Sequence, residues 1–380
     1  MIIYYFFNRT EPLAARTALG MSYSIIQIFG YIPVFGISEN LGVLCSKLVA
    51  MKRYKKVVEI GWYTLVVLGI IFFFYIMPAA IIFVKSLSLM NVDPEVVELT
   101  PKCFLFCAPY LVLVGFSLNV LGYCNAQEIE KSFMVTDILV VFIHLGTTYF
   151  IIGVHKMGIF GVGLCFFITE LCTLTFYVII MKVYCHPESL AFPNFKGFSK
   201  KICPYFCDCV KFIISASIED FIFEINSIFI ILFYTTADVS SYFNALNFVY
   251  TVYVFGIGMG IVLRTQVSYL LGSGNKKEAK NLYFTIVLFH GVVCICLSSI
   301  PYFFSMQIAR IYAVEEDLLD IISGMFQLYA FTFWIDLMSA TVQVGVKATN
   351  KMHLMINTIL VIILPINIVL CLVKVFLFKS

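Results

Sequence analysis

Three carboxylates, Glu219, Asp220 and Glu224, fall within six residues of one apolar segment, and Asn226 and Ser227 follow at once. At about 100° per residue, Asp220, Glu224 and Ser227 share one helical stripe and Glu219 and Asn226 the next. All five therefore occupy one side of a helix. A second acid, Asp336, stands midway along the apolar run 321–346, with Thr332, Ser339 and Gln343 at helical spacing on its side. An ionised group at mid-membrane depth costs ~2.5–3.5 kcal/mol on insertion scales, so such residues are functional candidates. The chemistry they offer is reversible binding of a cation or a proton. The plainer alternative is a hydrogen-bonded network that packs helices, which a lone Asp336 fits better than three neighbouring acids do. No nucleophile–base set, phosphate loop or metal motif accompanies them, and no enzyme is expected.

The elements that must hold these acids follow from composition. The chain has 380 residues, of which 61% are hydrophobic and 12% charged, against roughly 25% charged in globular proteins. That excludes an ordinary soluble fold and predicts an all-α polytopic membrane protein. A net charge of +3 is too mild to suggest a nucleic-acid partner. Runs long enough for a bilayer core lie near 17–37, 59–85, 102–124, 133–154, 158–183, 209–234, 240–269, 282–310, 321–346 and 352–376. Residues 1–12 form a stub too short to cross. Lys and Arg concentrate in alternate loops, at 47–56, 131, 182–211, 276–280 and 347–351, which the positive-inside rule assigns to the cytoplasm.

The polar stretch 184–208 reads as a linker between an N-lobe, 1–183, and a C-lobe, 209–380. A shift of 222 positions superposes three spans and an acidic loop of the first half on the second: Asp93, Glu95 and Glu98 meet Glu315, Asp317 and Asp320. The expectation is two parallel-repeat six-helix bundles, here with about ten full spans, a truncated first helix and no final one.

Lesser features take plainer readings. Arg264 reads as snorkelling to the nearby basic end of its helix, with a counter-ion role as the alternative, and Lys47 as interfacial. Asp137 and Glu170 lie one or two turns inside first-half spans, facing either a lumen or the headgroups. His144 and His290 read as core histidines. Cys203, Cys207 and Cys209 lack a second ligand pair for zinc, so membrane-interface cysteines are the default, with palmitoylation as the alternative. Asn8-Arg9-Thr10 matches a glycosylation acceptor but abuts the membrane. The N-terminus has neither the basic region nor the small-residue site of a signal peptide.

Several stretches resemble the multidrug and toxic compound extrusion (MATE) transporters of eukaryotic type. Glu219-Asp220-Phe221-Ile222-Phe223-Glu224 is similar to that family's Glu-Trp-Trp-x-x-Glu pattern. Thr265-Gln266-Val267-Ser268 through Gly272-Ser273-Gly274-Asn275 resembles its Thr-Arg-Val-Ser…Gly-Ala-Gly-Asn signature. Leu44-Cys45-Ser46-Lys47 and Ile335-Asp336-Leu337…Gly345-Val346-Lys347-Ala348 resemble two further motifs, with Lys47 at a Gln position and Leu337 at a Gly position.

The resemblance implies export of organic cations or other amphiphiles in exchange for protons or sodium, with Glu219, Glu224 and Asp336 coupling the ion. Asp220, Asn226, Ser227, Thr332, Ser339 and Gln343 are the cavity candidates. No cofactor beyond the coupling ion is implied. The expected partners are small organic solutes and the bilayer, for a monomer in the plasma membrane or an endomembrane such as the vacuole. The competing expectations are a lipid or lipid-linked oligosaccharide flippase and a non-transporting truncated relic.

Overall fold

The computed structural model describes residues 2–87, 93–193, 198–313, 316–349, 351–366 and 368–369; the side chains at 199, 218–225, 228, 232, 236 and 317 fall outside that description. Among the described residues there are helices and no strand. In chain order they are α1 (Ile2–Thr10), α2 (Leu13–Ala50), α3 (Tyr54–Ser86), α4 (Pro94–Asn125), α5 (Lys131–Val154) and α6 (Gly158–Tyr184) in the first half. The second half holds α7 (Phe198–Phe233), α8 (Thr236–Gly272), α9 (Lys276–Phe303), α10 (Ser305–Tyr312), α11 (Glu316–Val342), α12 (Val344–Ala348) and α13 (Met352–Ile366).

Eight of the described helices are long and apolar enough to cross a membrane. Their outward faces confirm the solvent they were built for. On α5, Met134, Val135, Ile138, Val141 and Phe142 are all exposed, an apolar band that a soluble monomer would not leave uncovered. Lipid covers it.

The helices differ from the expected spans at their ends, for local reasons. α2 runs to Ala50 rather than stopping at 37, because 38–50 keeps apolar residues on its buried side: Leu41 and Cys45 are both covered. α7 starts at Phe198, inside the stretch expected to be linker. There Tyr205, Cys209 and Phe212 recur at helical spacing and are buried, while Cys203 and Cys207 face outward. Alternating polar residues hide this amphipathic turn from a hydropathy window. The expected span 282–310 breaks at Phe304, two residues after Tyr302 and just beyond Pro301, and α10 follows as a separate helix with Ile308, Ala309 and Tyr312 buried.

Three wide, π-type turns interrupt α2, α3 and α13, at Gln27–Tyr31, Phe72–Ile76 and Ile359–Ile363. Each ends two residues before a proline: Pro33, Pro78 and Pro365. A proline inside a helix has no N–H to give and its ring crowds the carbonyl four residues back, so the preceding turn relaxes by taking in an extra residue.

Within the first half, α4 packs between α2 and α6, and α5 lies outside α6; within the second, α11 packs between α8 and α9. The halves meet along α2, which lies against both α7 and α8. At one point the approach is too close for a side chain. A Cβ on Gly272 would sit 2.8 Å from the backbone of Lys47, so glycine there lets α8 touch the end of α2.

Candidate functional site

A cavity of about 450 Å³ lies between the halves. Its walls are helix stripes. From α2 come Tyr23, Gln27, Tyr31, Phe35 and Glu39, each four residues from the last. In a regular helix residues four apart drift by ~40° per step, and the wide turn at Gln27–Tyr31 takes part of that drift back. From α8 come Tyr250, Val254, Ile257, Ile261 and Arg264, alternating steps of four and three. Ala340, Gln343 and Lys347 continue the wall along α11 and α12.

At the basic-loop end of all three stripes sits an ion cluster that the sequence reading did not find. Glu39 accepts a hydrogen bond from Arg264 Nη1, and Lys347 Nζ lies 3.1 Å from its Oε1 and 3.0 Å from its Oε2. All three are buried: Glu39 is 3% exposed, Arg264 6% and Lys347 6%. Arg264 does not snorkel to the membrane surface; a carboxylate from the other half holds it inside, where leaving it unpaired would be costly. Lys347 is likewise part of this cluster rather than of a solvated loop. Lys47 Nζ donates to the Ala348 carbonyl at 3.0 Å, and Glu130 hydrogen-bonds Gln266, so these contacts and that of Gly272 gather with the ion cluster at this end.

The opposite end is tied without buried ion pairs among the described residues. Asn8 Nδ2 donates to Asn244 Oδ1 at 3.0 Å and to the Tyr312 carbonyl at 2.6 Å. Arg9 donates to the carbonyls of Ile311 and Arg310. Asn8 is 1% exposed, which leaves the sequon no free acceptor.

The acids that prompted the site reading fall as follows. Glu219, Asp220 and Glu224 lie on α7, with side chains outside the described residues. Ser227, buried on the same helix, has its Oγ 3.5 Å from the Tyr242 hydroxyl. Tyr242 in turn hydrogen-bonds Tyr329, which feels the charge of Asp336. Tyr242 on α8 thus stands between α7 and α11, the helix that carries the half-buried Asp336. Asn226, next to Ser227, is half-buried.

Gln343 lines the cavity, and its buried Oε1 meets no donor among the described residues. Ser339 is half-buried, its hydroxyl turned back to the Asp336 carbonyl at 2.7 Å. Thr332 is exposed on the face that carries Leu328, Phe331 and Ile335, away from the cavity stripe. In the first half, Asp137 accepts from Tyr177 at 2.6 Å, and Glu170 is half-buried on α6. His144 lines the cavity and lies 2.9 Å from the Thr169 hydroxyl, and His290 is fully buried beside Thr341. Of the linker cysteines, Cys209 is no interface residue: it is buried and accepts from Asn40 Nδ2 at 3.2 Å.

Two helical bundles around a central cavity are the architecture of a membrane transporter. The MatE family profile matches residues 1–150 and 212–373, and the chain belongs to that family. It is similar to Protein DETOXIFICATION 9 of Arabidopsis thaliana, 22% identical over 96% of this chain and 76% of that protein. It is also similar to the probable multidrug resistance protein NorM of Bacillus licheniformis, 24% identical over 87% of this chain and 74% of that one. Among solved structures, the eukaryotic MATE transporter AtDTX14 superposes with a TM-score of 0.79 at 16% identity, over 93% of this chain and 81% of that chain. The chain is a multi-pass integral membrane protein and an efflux transporter of small organic compounds, not an enzyme.

Proposed function

We propose that the protein is a secondary antiporter that exports amphiphilic small molecules in exchange for a proton or sodium ion by alternating access. One observation carries this reading: the cavity lies between two halves that are fastened to each other by separate sets of bonds at its two ends. A carrier of this kind must release one set while keeping the other, and two localised sets make that possible without unfolding either bundle. The aromatic wall, with Tyr23, Tyr31, Phe35 and Tyr253, suits a flat apolar solute.

In this reading the coupling ion binds among Glu219, Glu224 and Asp336. Ion binding need only favour one arrangement of the halves over the other to drive exchange. The test is flux of a fluorescent amphiphile into vesicles holding the purified protein, with imposed proton and sodium gradients applied separately. Gradient-driven flux that falls at least tenfold in Glu219→Gln and in Asp336→Asn is the expected result. Flux indifferent to both gradients would refute exchange.

A further inference from the structure

Two cations meet a single carboxylate at the basic-loop end of the cavity. Arg264 engages Glu39 through Nη1, but its Nε, buried with the rest of the side chain, meets no acceptor among the described residues. A guanidinium offers donors in a planar fork, and a buried donor left without an acceptor is a standing cost. Both Arg264 and Lys347 line the cavity, so what fills it can reach them. Four residues before Lys347, the unsatisfied Oε1 of Gln343 faces the same space and calls for a donor. The aromatic side chains Tyr31, Phe35 and Tyr253 line the same cavity.

We propose that Arg264 and Lys347 form an oxyanion subsite, that Glu39 is its resident occupant, and that the acidic group of a transported amphiphile displaces Glu39. This rests on the transporter reading above and names the substrate class: a flat apolar body bearing a carboxylate, sulfonate or phosphate. An oxyanion can meet Nη1 and the open Nε edge of Arg264 together, whereas Glu39 reaches Nη1 alone and leaves its own buried Oε2 without a hydrogen bond. Because Glu39 belongs to the first half and both cations to the second, displacement also removes the ionic tie between halves. Substrate binding and release of that end are then the same event. Glu39 keeps the two cations from lying bare when the cavity holds no anion, which is what makes an arginine and a lysine tolerable there.

The experiment uses two permanently charged probes with one ring system, naphthalene-1-sulfonate and N,N,N-trimethyl-1-naphthylammonium. Binding to the purified full chain in detergent is measured beside flux in vesicles. The expected result is saturable sulfonate binding that weakens about tenfold or more in Lys347→Gln and Arg264→Gln, with ammonium binding unchanged or tighter. Glu39→Gln should act in the opposite direction and tighten sulfonate binding several-fold, a gain that misfolding cannot produce. Competition by phosphatidylglycerol in mixed micelles would identify a lipid headgroup as the natural source of the anion; competition by free benzoate but not by the lipid would identify a soluble acid. Either supports the subsite. Sulfonate that does not bind, or binds equally in all three variants, overturns it, even if the ammonium probe is exported. Sulfonate binding with the expected variant pattern but no gradient-driven flux of either probe leaves the subsite standing and removes the antiport reading instead.

Discussion

The two ends of the cavity are fastened by different chemistry. At the basic-loop end one buried carboxylate holds two cations across the halves; at the other, an asparagine side chain and an arginine donate to neutral oxygens. The buried Asn8 bonds are neutral, worth about 0.5–1.5 kcal/mol each, and the Arg9 guanidinium that joins them is exposed and meets carbonyls rather than a carboxylate. A buried ion cluster is different: its cations stay buried only while a carboxylate holds them, so a charged ligand can undo it. The molecule therefore has one end whose closure answers to charge and one whose closure does not.

The largest effect should come from unbalancing the ionic end. Replacing Arg264 and Lys347 together by Gln leaves Glu39 buried without an opposite charge and should cost ~3–5 kcal/mol, read as a fall in thermal unfolding temperature in detergent. Adding Glu39→Gln to that pair should recover most of the loss. If it does not, charge is not what fastens this end. Next in size is Gly272→Ala, whose added methyl group meets the Lys47 backbone; overpacking of this kind costs ~1–3 kcal/mol, and an unchanged unfolding temperature would contradict the close approach.

Asn8→Ala should remove ~1–3 kcal/mol from the neutral end, since it strands the Asn244 and Tyr312 acceptors. Combined with Glu39→Gln it should be additive within ~0.5 kcal/mol, because the ends share no partner. A larger coupling would mean that the halves respond as one rigid seam.

The smallest effect concerns Glu130, in the loop before α5. Burial, reinforced by Glu128, pushes its carboxyl above the usual carboxylate range, against a weaker downward pull from the hydrogen bond with Gln266. The fold thus favours its protonated form. Its contribution is full below the unfolded-chain value and fades as pH rises through the raised folded value. Unfolding temperature should therefore lose a small increment on raising the pH through that range, and Glu130→Gln should abolish the increment.

Much of this arrangement was legible in the sequence. The lipid-facing spans carry their own signal, since apolar runs such as 133–154 match α5 within two residues at its start. Gln343 was reachable from its spacing to Asp336. The ion cluster was not, for a physical reason: its members lie 225 and 308 positions apart, and each has a bland local explanation. Glu39 fell beyond a span expected to end at 37, and Lys347 resembled one more basic-loop residue. Arg264 sat near enough to a helix end to snorkel. The 222-residue repeat offers no help either, because it pairs Glu39 with Ile261, Arg264 with Gly42 and Lys347 with Asn125. The charges belong to the asymmetry between the lobes, which duplication does not record.

The proline-linked turn at Gln27–Tyr31 reaches further than its five residues. A helix that takes in one surplus residue is rotated beyond that point by ~100° relative to an uninterrupted one. Phe35 and Glu39 are aimed by that rotation, so the azimuth of the carboxylate is set three turns upstream of it. Excising Ile28 together with Pro33→Ala should spin the distal half of the rod and swing position 39 away from its guanidinium, with no charged group altered.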